Sequence, residues 1–265
     1  MTEDEILRTS ILNCERSDLY LDRFPLSPEQ SSDFIDKKTK RLEGFPLQYI
    51  IGETEFFGLR FKVDERAFIP RPETEILVEK TIERVKGQGL SDKVMVLDIG
   101  TGSGAIAIAL AKSLPRAQIT ASDISGGALD LARENAKINE VDNKIDFVRS
   151  DLFDNISFKE YDLIVSNPPY IVSGDMDSLP RDVKHEPAIA LDGGNDGLDF
   201  YRGIINRGKE FLKKGGFILF EIGFGQSKKI KHIFAATGWF DIVDAVKDYN
   251  DIERVIVARL IKETR

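Results

Sequence analysis

Residues 94–104 read Val94-Met95-Val96-Leu97-Asp98-Ile99-Gly100-Thr101-Gly102-Ser103-Gly104 and run straight into the apolar stretch Ala105–Ala111. Val94–Asp98 has the apolar, β-branched character of a buried strand, and Gly104–Leu114 has the length of a helix. Glycines between the two allow a tight turn and let backbone approach a ligand, while the helix N-terminus supplies amide donors. The alternation continues downstream. Strands are expected at Gln118–Ser122, Ile145–Arg149, Asp162–Ser166 and Phe217–Glu221, and helices at Gly126–Ile138, Asp199–Leu212 and Gln226–Thr237. Phe240–Val246 and Arg254–Leu260 read as two closing strands, with a turn at Asp248–Asp251. Repeated strand–helix units imply an α/β, doubly wound parallel sheet with its ligand at the carboxyl ends of the strands.

Upstream the periodicity differs. Ile6, Leu7 and Ile11 recur at helical spacing. Ser27 as N-cap, Pro28 in the first turn and Gln30 as capping-box partner start a second helix, whose expected buried stripe is Phe34, Ile35 and Leu42. In Glu53–Asp64, β-formers flank Gly58-Leu59, which suits a type II′ hairpin loop. Ile69-Pro70-Arg71-Pro72 then breaks the chain and launches a helix over Glu73–Lys86. The expected division is a helical domain at 1–43, a hairpin connector at 44–71 and the α/β domain at 72–265.

Composition excludes several classes. The chain has 265 residues, 42% of them hydrophobic, which is ample for a core. One cysteine and two histidines exclude a disulfide framework and a Cys/His zinc site. The net charge of −8 is not the footprint of a nucleic-acid binder. No apolar run approaches the length of a membrane span, and the acidic opening MTEDEILRTS is unlike a secretory signal, so a cytoplasmic location is expected. Cys14 is read as a buried structural thiol on a helix. Lys228, Lys229 and Lys231 read as a solvated face, and His185 as a residue that fixes its loop through a hydrogen bond.

The glycine loop indicates a nucleoside cofactor without saying which. Gly100, Gly102 and Ala105 satisfy the dinucleotide pattern, and Asp123 at the end of the second strand suits an NAD ribose. A surplus of carboxylates (Asp98, Asp123 and Asp151) suits S-adenosylmethionine better. That ligand has an ammonium, a ribose diol and an adenine amine, and it has no pyrophosphate for the acids to repel.

The fourth strand ends in Asn167-Pro168-Pro169-Tyr170, about 65 residues after the glycine loop. An amide or aryl-amine nitrogen is a poor nucleophile because its lone pair is delocalised. The Asn167 side-chain oxygen and the Pro168 carbonyl can accept its two N–H bonds, the prolines stiffen the loop, and Tyr170 can pack on the flat face. Catalysis by such a clamp is positioning plus relief of charge growing on nitrogen. No histidine base is required.

With these segments in place the chain resembles the HemK/PrmC family of protein N5-glutamine methyltransferases. The resemblance rests on Pro46–Gly52, Ile69–Glu75, Leu97–Ala105, Ser150–Phe153, Ile164–Ile171, Glu186-Pro187, Ala190-Leu191 and Asp196–Leu198. It implies a class I S-adenosylmethionine-dependent methyltransferase fold: a Rossmann-like, seven-stranded mixed sheet with the last strand inserted antiparallel. A small N-terminal helical domain and a β-hairpin connector precede it. The implied substrate is the glutamine of the Gly-Gly-Gln motif of peptide chain release factors, with the helical domain recognising that partner and the protein acting as a monomer, without a metal, nucleic acid or membrane. The implied cofactor-site residues are Asp98, Gly100, Thr101, Gly102, Ser103, Gly104, Asp123, Asp151, Leu152 and Asn167. The catalytic set is Asn167, Pro168, Pro169 and Tyr170. Phe68 and Arg71 are placed at the crevice rim, with Glu73 or Glu75 as an alternative ion-pair partner for Arg71. The tetrapeptide is shared with adenine-N6 methyltransferases acting on DNA or RNA, which form the runner-up class. Such an enzyme needs a basic phosphate track and room for a flipped base. A nicotinamide oxidoreductase rests on the glycine loop alone. For a non-enzymatic binding module, packing gives no reason to set an amide clamp opposite a nucleoside site.

Overall fold

The computed structural model describes residues 1–20, 25–87, 94–157 and 160–262. Four helices open the chain: α1 (Glu3–Leu12), α2 (Arg16–Leu19), α3 (Pro28–Leu42) and α4 (Leu47–Ile51). Ser27 and Gln30 form the expected capping box on α3, with each side chain bonded to the other's backbone N–H. The expected α3 stripe is overturned. Ile35 and Leu42 are 62% and 75% exposed, and Phe34 is half-buried. The face of α3 toward α1 is instead mostly polar: Lys38 pairs with Asp4, Arg41 pairs with Glu3, and Arg8 and Lys38 both lie over the Phe34 ring. Cys14 falls just past the end of α1 and is half-buried, so it is neither helical nor a core thiol.

The hairpin pairs β1 (Glu53–Phe56) with β2 (Leu59–Lys62). Its loop is Phe57-Gly58, one residue earlier than expected. Both residues have positive φ, 54° and 68°, which is the type I′ rather than the type II′ geometry. Glu75 stabilises the strained Phe57 by accepting its N–H at 2.7 Å. The hairpin then docks on a helix of the main layer, α7 (Gly126–Ile138). There Asn135 accepts from the Lys62 N–H, and its amide donates to the carbonyls of Lys62 and Ser103. One buried amide thereby joins the hairpin to the glycine loop.

The remaining elements are α5 (Pro72–Gly87), β3 (Met95–Ile99), α6 (Ala105–Ser113), β4 (Gln118–Asp123), β5 (Ile145–Arg149), β6 (Tyr161–Ser166), α8 (Asp199–Gly208), β7 (Leu212–Glu221), α9 (Ser227–Thr237), β8 (Phe240–Lys247) and β9 (Glu253–Leu260). The seven-stranded sheet has the order β5-β4-β3-β6-β7-β9-β8. β9 runs antiparallel between β7 and β8, which is the inserted last strand expected from the resemblance. α8 stops at Gly208, earlier than expected, and β7 begins at Leu212 rather than Phe217.

Alternation within the strands sorts the core into two layers. Val96, Leu163, Val165, Phe217 and Leu219 face α5 and α6, while Leu97, Ile164, Ile218 and Phe220 face α8 and α9. With both faces covered, the central segments Val96-Leu97, Leu163–Val165 and Phe217–Phe220 are apolar, which is why they read as continuous runs. α6 is buried along Ala105–Ala111, on all its sides. β3 is the switch point: the chain leaves it to form β4 and β5 on one side and β6 on the other. A crevice opens there beyond the carboxyl ends of the strands.

Candidate active site

That crevice holds a cavity of about 520 Å³, a size typical of sites for cofactor-sized ligands. Gly100, Thr101, Gly102 and Ser103 line one wall, Asp123, Asp151 and Leu152 another, and Asn167–Tyr170 face them. Phe68 and Arg71 also line it, from the segment before α5. Of the cofactor-site residues taken from sequence, Asp98 and Gly104 stand outside this lining. Asp98 is wholly buried beneath the loop, with the Thr101 hydroxyl donating to its Oδ2 at 2.6 Å. At Gly104 a Cβ would lie 2.9 Å from Ile108 Cδ1 and 3.1 Å from Ala132 Cβ, so its role is close packing of α6 on α7. At Gly100 and Gly102, both with positive φ, an added Cβ would meet only open space.

The loop is held from β4. Ser122 O accepts from the Gly100 and Thr101 N–H groups, Asp123 Oδ2 accepts from Gly102 N at 2.9 Å, and Asp123 Oδ1 accepts from Ser125 N at 2.9 Å. Each carboxylate oxygen keeps further acceptor capacity for a ligand. Burial raises the Asp123 pKa, and the three backbone N–H bonds it receives pull it back. For Asp98, burial pushes the pKa up to about 7, aided by the Asp123 charge and opposed by Thr101. The native state therefore holds this proton more tightly than the unfolded chain, in which an aspartate titrates near about 4. Stability from Asp98 is present at low pH and is lost as pH rises toward 7. Asp98→Asn is thus expected to gain stability relative to the wild type between pH 5 and pH 8 in urea denaturation. A difference that stays constant across that window would contradict this assignment.

Leu152 sits in the left-handed region at φ 45°, an unfavourable place for a leucine. α8 makes room for it with Gly203, where a Cβ would lie 2.5 Å from Leu152 Cδ1.

The clamp loop after β6 is fixed from three directions. The Asn167 amide nitrogen donates to Thr74 Oγ1 at 3.1 Å, near the start of α5. Ile171 exchanges backbone bonds with the loop at 191–193, accepting from Gly193 N at 2.7 Å. Gly193 packs so closely that a Cβ would lie 2.7 Å from Pro169 O. Gln226 donates to the carbonyls of Tyr170 and Gly197 and accepts from Gly223 N. Tyr170 is half-buried, and its removal from solvent raises its pKa.

Arg71 corrects the sequence reading. It pairs with Glu186, not with Glu73 or Glu75, and lies 4.7 Å from the Phe68 ring centroid. Glu186 also accepts from Ile69 N at 2.9 Å, so it ties two distant segments together. Glu186→Ala leaves a buried N–H and a guanidinium unpaired. Its expected cost is about 2–3 kcal/mol, at the lower end for a buried pair because Arg71 is partly exposed. Chemical denaturation tests this, and a change under about 0.5 kcal/mol would contradict it. His185 holds its loop through its backbone N–H, which donates to Asp182 O at 3.2 Å, and its ring stacks on Phe45 with centroids 3.9 Å apart. Lys231 leaves the solvated face to pair with Glu253 at 2.9 Å.

Glu221, Thr74, Gln226 and Gly193 carry no role in the sequence reading. Glu221 had a usable signal. Like Asp98 and Asp123, it is an acid at or next to the carboxyl end of a strand, here after the apolar run Phe217–Phe220.

Two family descriptions match the chain: the PrmC N-terminal domain over residues 2–52 and the methyltransferase small domain over residues 73–181. A release factor glutamine methyltransferase from Geobacter sulfurreducens is 41% identical over 260 residues, covering 97% of this chain and 89% of that protein. This chain belongs to the release factor glutamine methyltransferase family. A second release factor glutamine methyltransferase, from Streptococcus pneumoniae, is 46% identical over 211 residues, covering 79% of this chain and 73% of its own. The crystal structure of a methyltransferase from Pyrococcus furiosus superposes with a TM-score of 0.58 at 15% identity, over 89% of this chain and 100% of that one, and shows the shared fold.

Release factor glutamine methyltransferases use S-adenosylmethionine, and the residues present fit it. Gly100 and Gly102 leave open space where side chains would stand, and Asp123 offers acceptor capacity beside them. The walls combine apolar groups with the carboxylates of Asp123 and Asp151, while their two arginines, Arg66 and Arg71, are paired with Asp64, Glu134 and Glu186, which suits a cation lacking phosphate. Among the described residues, no His, Cys, Asp and Glu cluster suited to a metal is found, and no helix is long and apolar enough to cross a membrane.

Proposed function

We propose that this protein transfers a methyl group from S-adenosylmethionine to the side-chain amide nitrogen, N5, of the glutamine in the Gly-Gly-Gln motif of peptide chain release factors. The observation that carries this reading is the facing of two walls across one cavity, a glycine loop with Asp123 and the Asn167–Tyr170 clamp. Family membership supplies the chemistry, since the relatives are named for that reaction.

In this reading Gly100–Ser103, Asp123, Asp151 and Leu152 hold the cofactor. Asp98 and Gly104 support the loop from behind. When bound, the cofactor supplies an electrophilic methyl on a sulfonium. Asn167 Oδ1 and the Pro168 carbonyl accept the two N–H bonds of the glutamine amide. As nitrogen gives up its lone pair, those N–H groups become more acidic, so both acceptors bind the transition state more tightly than the ground state. Pro168 and Pro169 keep the loop rigid, and Tyr170 packs on the amide face. No side chain need remove a proton before transfer. Residues 1–43 engage the body of the release factor, 44–71 bridge to the catalytic unit, and 72–265 carry the reaction.

The test is intact-mass analysis after incubation with S-adenosylmethionine. A gain of about 14 Da, one CH₂, is expected on a release factor, and none on adenine-containing oligonucleotides at physiological salt, where a net charge of −8 opposes a polyanion. Methylated adenine beside an unmodified release factor would move the protein to the nucleic-acid class.

A further inference from the structure

Beyond the glycine loop and the clamp the cavity has a third wall, and it is apolar: Leu179, Val183, Pro187 and Ile189. These residues belong to the segment that leaves the sheet after the clamp and returns where Ile171 exchanges backbone bonds with the loop at 191–193. Within the segment the backbone bonds close short turns, from Lys184 N to Pro180 O, Glu186 N to Val183 O and Ala190 N to Pro187 O. Such turns shape the loop without setting where it stands.

Its placement comes from the chain that precedes the catalytic unit. His185 ends the single 3₁₀ turn Val183–His185 and stacks on Phe45, with ring centroids 3.9 Å apart and ring planes at 24°. Beside the stack, a Cβ at Gly44 would stand 3.1 Å from Arg181 Cβ, so the two segments meet too closely for a side chain there. Glu186 adds its bond from Ile69 N and its pair with Arg71. Phe45 is itself anchored at the end of α3. Its N–H donates to Lys40 O at 3.1 Å, and its carbonyl accepts from Arg41 Nη1 at 3.1 Å. Arg41 in turn pairs with Glu3 on α1. Neither Phe45 nor His185 lines the cavity, yet Val183, in the same turn as His185, does.

We propose that Phe45 and His185 are positioning residues that hold the apolar third wall in place, so that the chain before the catalytic unit builds part of the acceptor side of the cavity. The inference rests on the glutamine-methylating reading above and adds how the substrate chain is guided in. Aliphatic groups suit the methylene stem of a glutamine and the bare backbone of the glycines before it. Without the stack, each incoming substrate has to order the wall, and apparent affinity falls by the fraction of time the wall is out of place. The strength of an aromatic pair sets the size of that loss, about three- to tenfold. The clamp keeps its own ties to Thr74 and Gln226, so the loss falls on KM rather than on kcat.

Full-length Phe45→Ala, His185→Ala, the double variant and His185→Phe are compared in two measurements. Hydrogen–deuterium exchange is expected to quicken at least about threefold over residues 179–190 in the alanine variants and to stay at the wild-type rate over the glycine loop. In methylation of an intact release factor, each alanine variant is expected to raise KM about three- to tenfold, with kcat and calorimetric S-adenosylmethionine affinity within about twofold. The double variant should be no worse than the weaker single, because the same contact is lost once. His185→Phe keeps a ring to stack and should stay within about twofold of wild type in KM. A fall in kcat at constant KM overturns the proposal, since a merely structural role lowers the active fraction alone. So do KM effects that add in the double variant, as they would if each ring touched the release factor separately. Unchanged exchange over 179–190 overturns it as well. A wild-type enzyme inert toward the release factor would instead remove the underlying reading, and the exchange rates would still decide whether Phe45 holds the wall.

Discussion

Asn167→Ala is expected to lower the methylation rate by about two orders of magnitude or more, while S-adenosylmethionine binding stays nearly intact. The side chain accepts from the substrate nitrogen where charge develops, and such acceptors act mainly in the transition state. The change also frees Thr74 of the bond at 3.1 Å. The backbone of the clamp keeps its ties to Gln226 and to the loop at 191–193, so the Pro168 carbonyl remains placed. Single-turnover rates with saturating release factor, set beside calorimetric cofactor affinities, separate the two effects. A variant that keeps full turnover would remove the amide clamp from the mechanism.

Asp123→Ala should show the converse pattern, with its main effect on the cofactor. The carboxylate orders the glycine loop through Gly102 N and the next turn through Ser125 N, and it presents its remaining acceptor capacity to the cavity. Losing charged hydrogen bonds of this kind costs roughly 1.5–3 kcal/mol, or about one to two orders of magnitude in affinity. Asp123→Asn keeps one acceptor oxygen and should fall between. Calorimetry showing unchanged affinity for Asp123→Ala would take this residue out of the cofactor site.

Much of the fold was legible because local and global signals agree along the sheet. Gly126–Ile138 and Ile145–Arg149 fall where the periodicity places them, since a buried strand and an amphipathic helix each carry their own pattern. The hairpin loop was misplaced by one residue because Gly58 suits either turn type, and Phe57 with positive φ is a choice that only tertiary support from Glu75 permits. The α3 stripe failed because apolar spacing predicts a buried face only when a partner layer exists; here the facing helix supplies acids instead. At the site, the residues that line the cavity on the glycine loop and the clamp sit on short contiguous motifs, which a sequence displays. Their supports do not. Thr74 and Asn167 are separated by 93 positions, and Arg71 and Glu186 by 115, and nothing in the spacing announces that they meet. The inserted position of β9 likewise came from resemblance rather than periodicity.

The measurement that bears most directly on the central claim is peptide-resolved mass spectrometry of a release factor after incubation with the enzyme and S-adenosylmethionine. One added methyl, about 14 Da, is expected on the side-chain nitrogen of the Gly-Gly-Gln glutamine and nowhere else. Changing that glutamine to glutamate should abolish the gain, because a carboxylate has neither the nucleophilic nitrogen nor the two N–H donors that Asn167 and Pro168 accept. A methyl found on another residue, or on the glutamate form, would contradict the account.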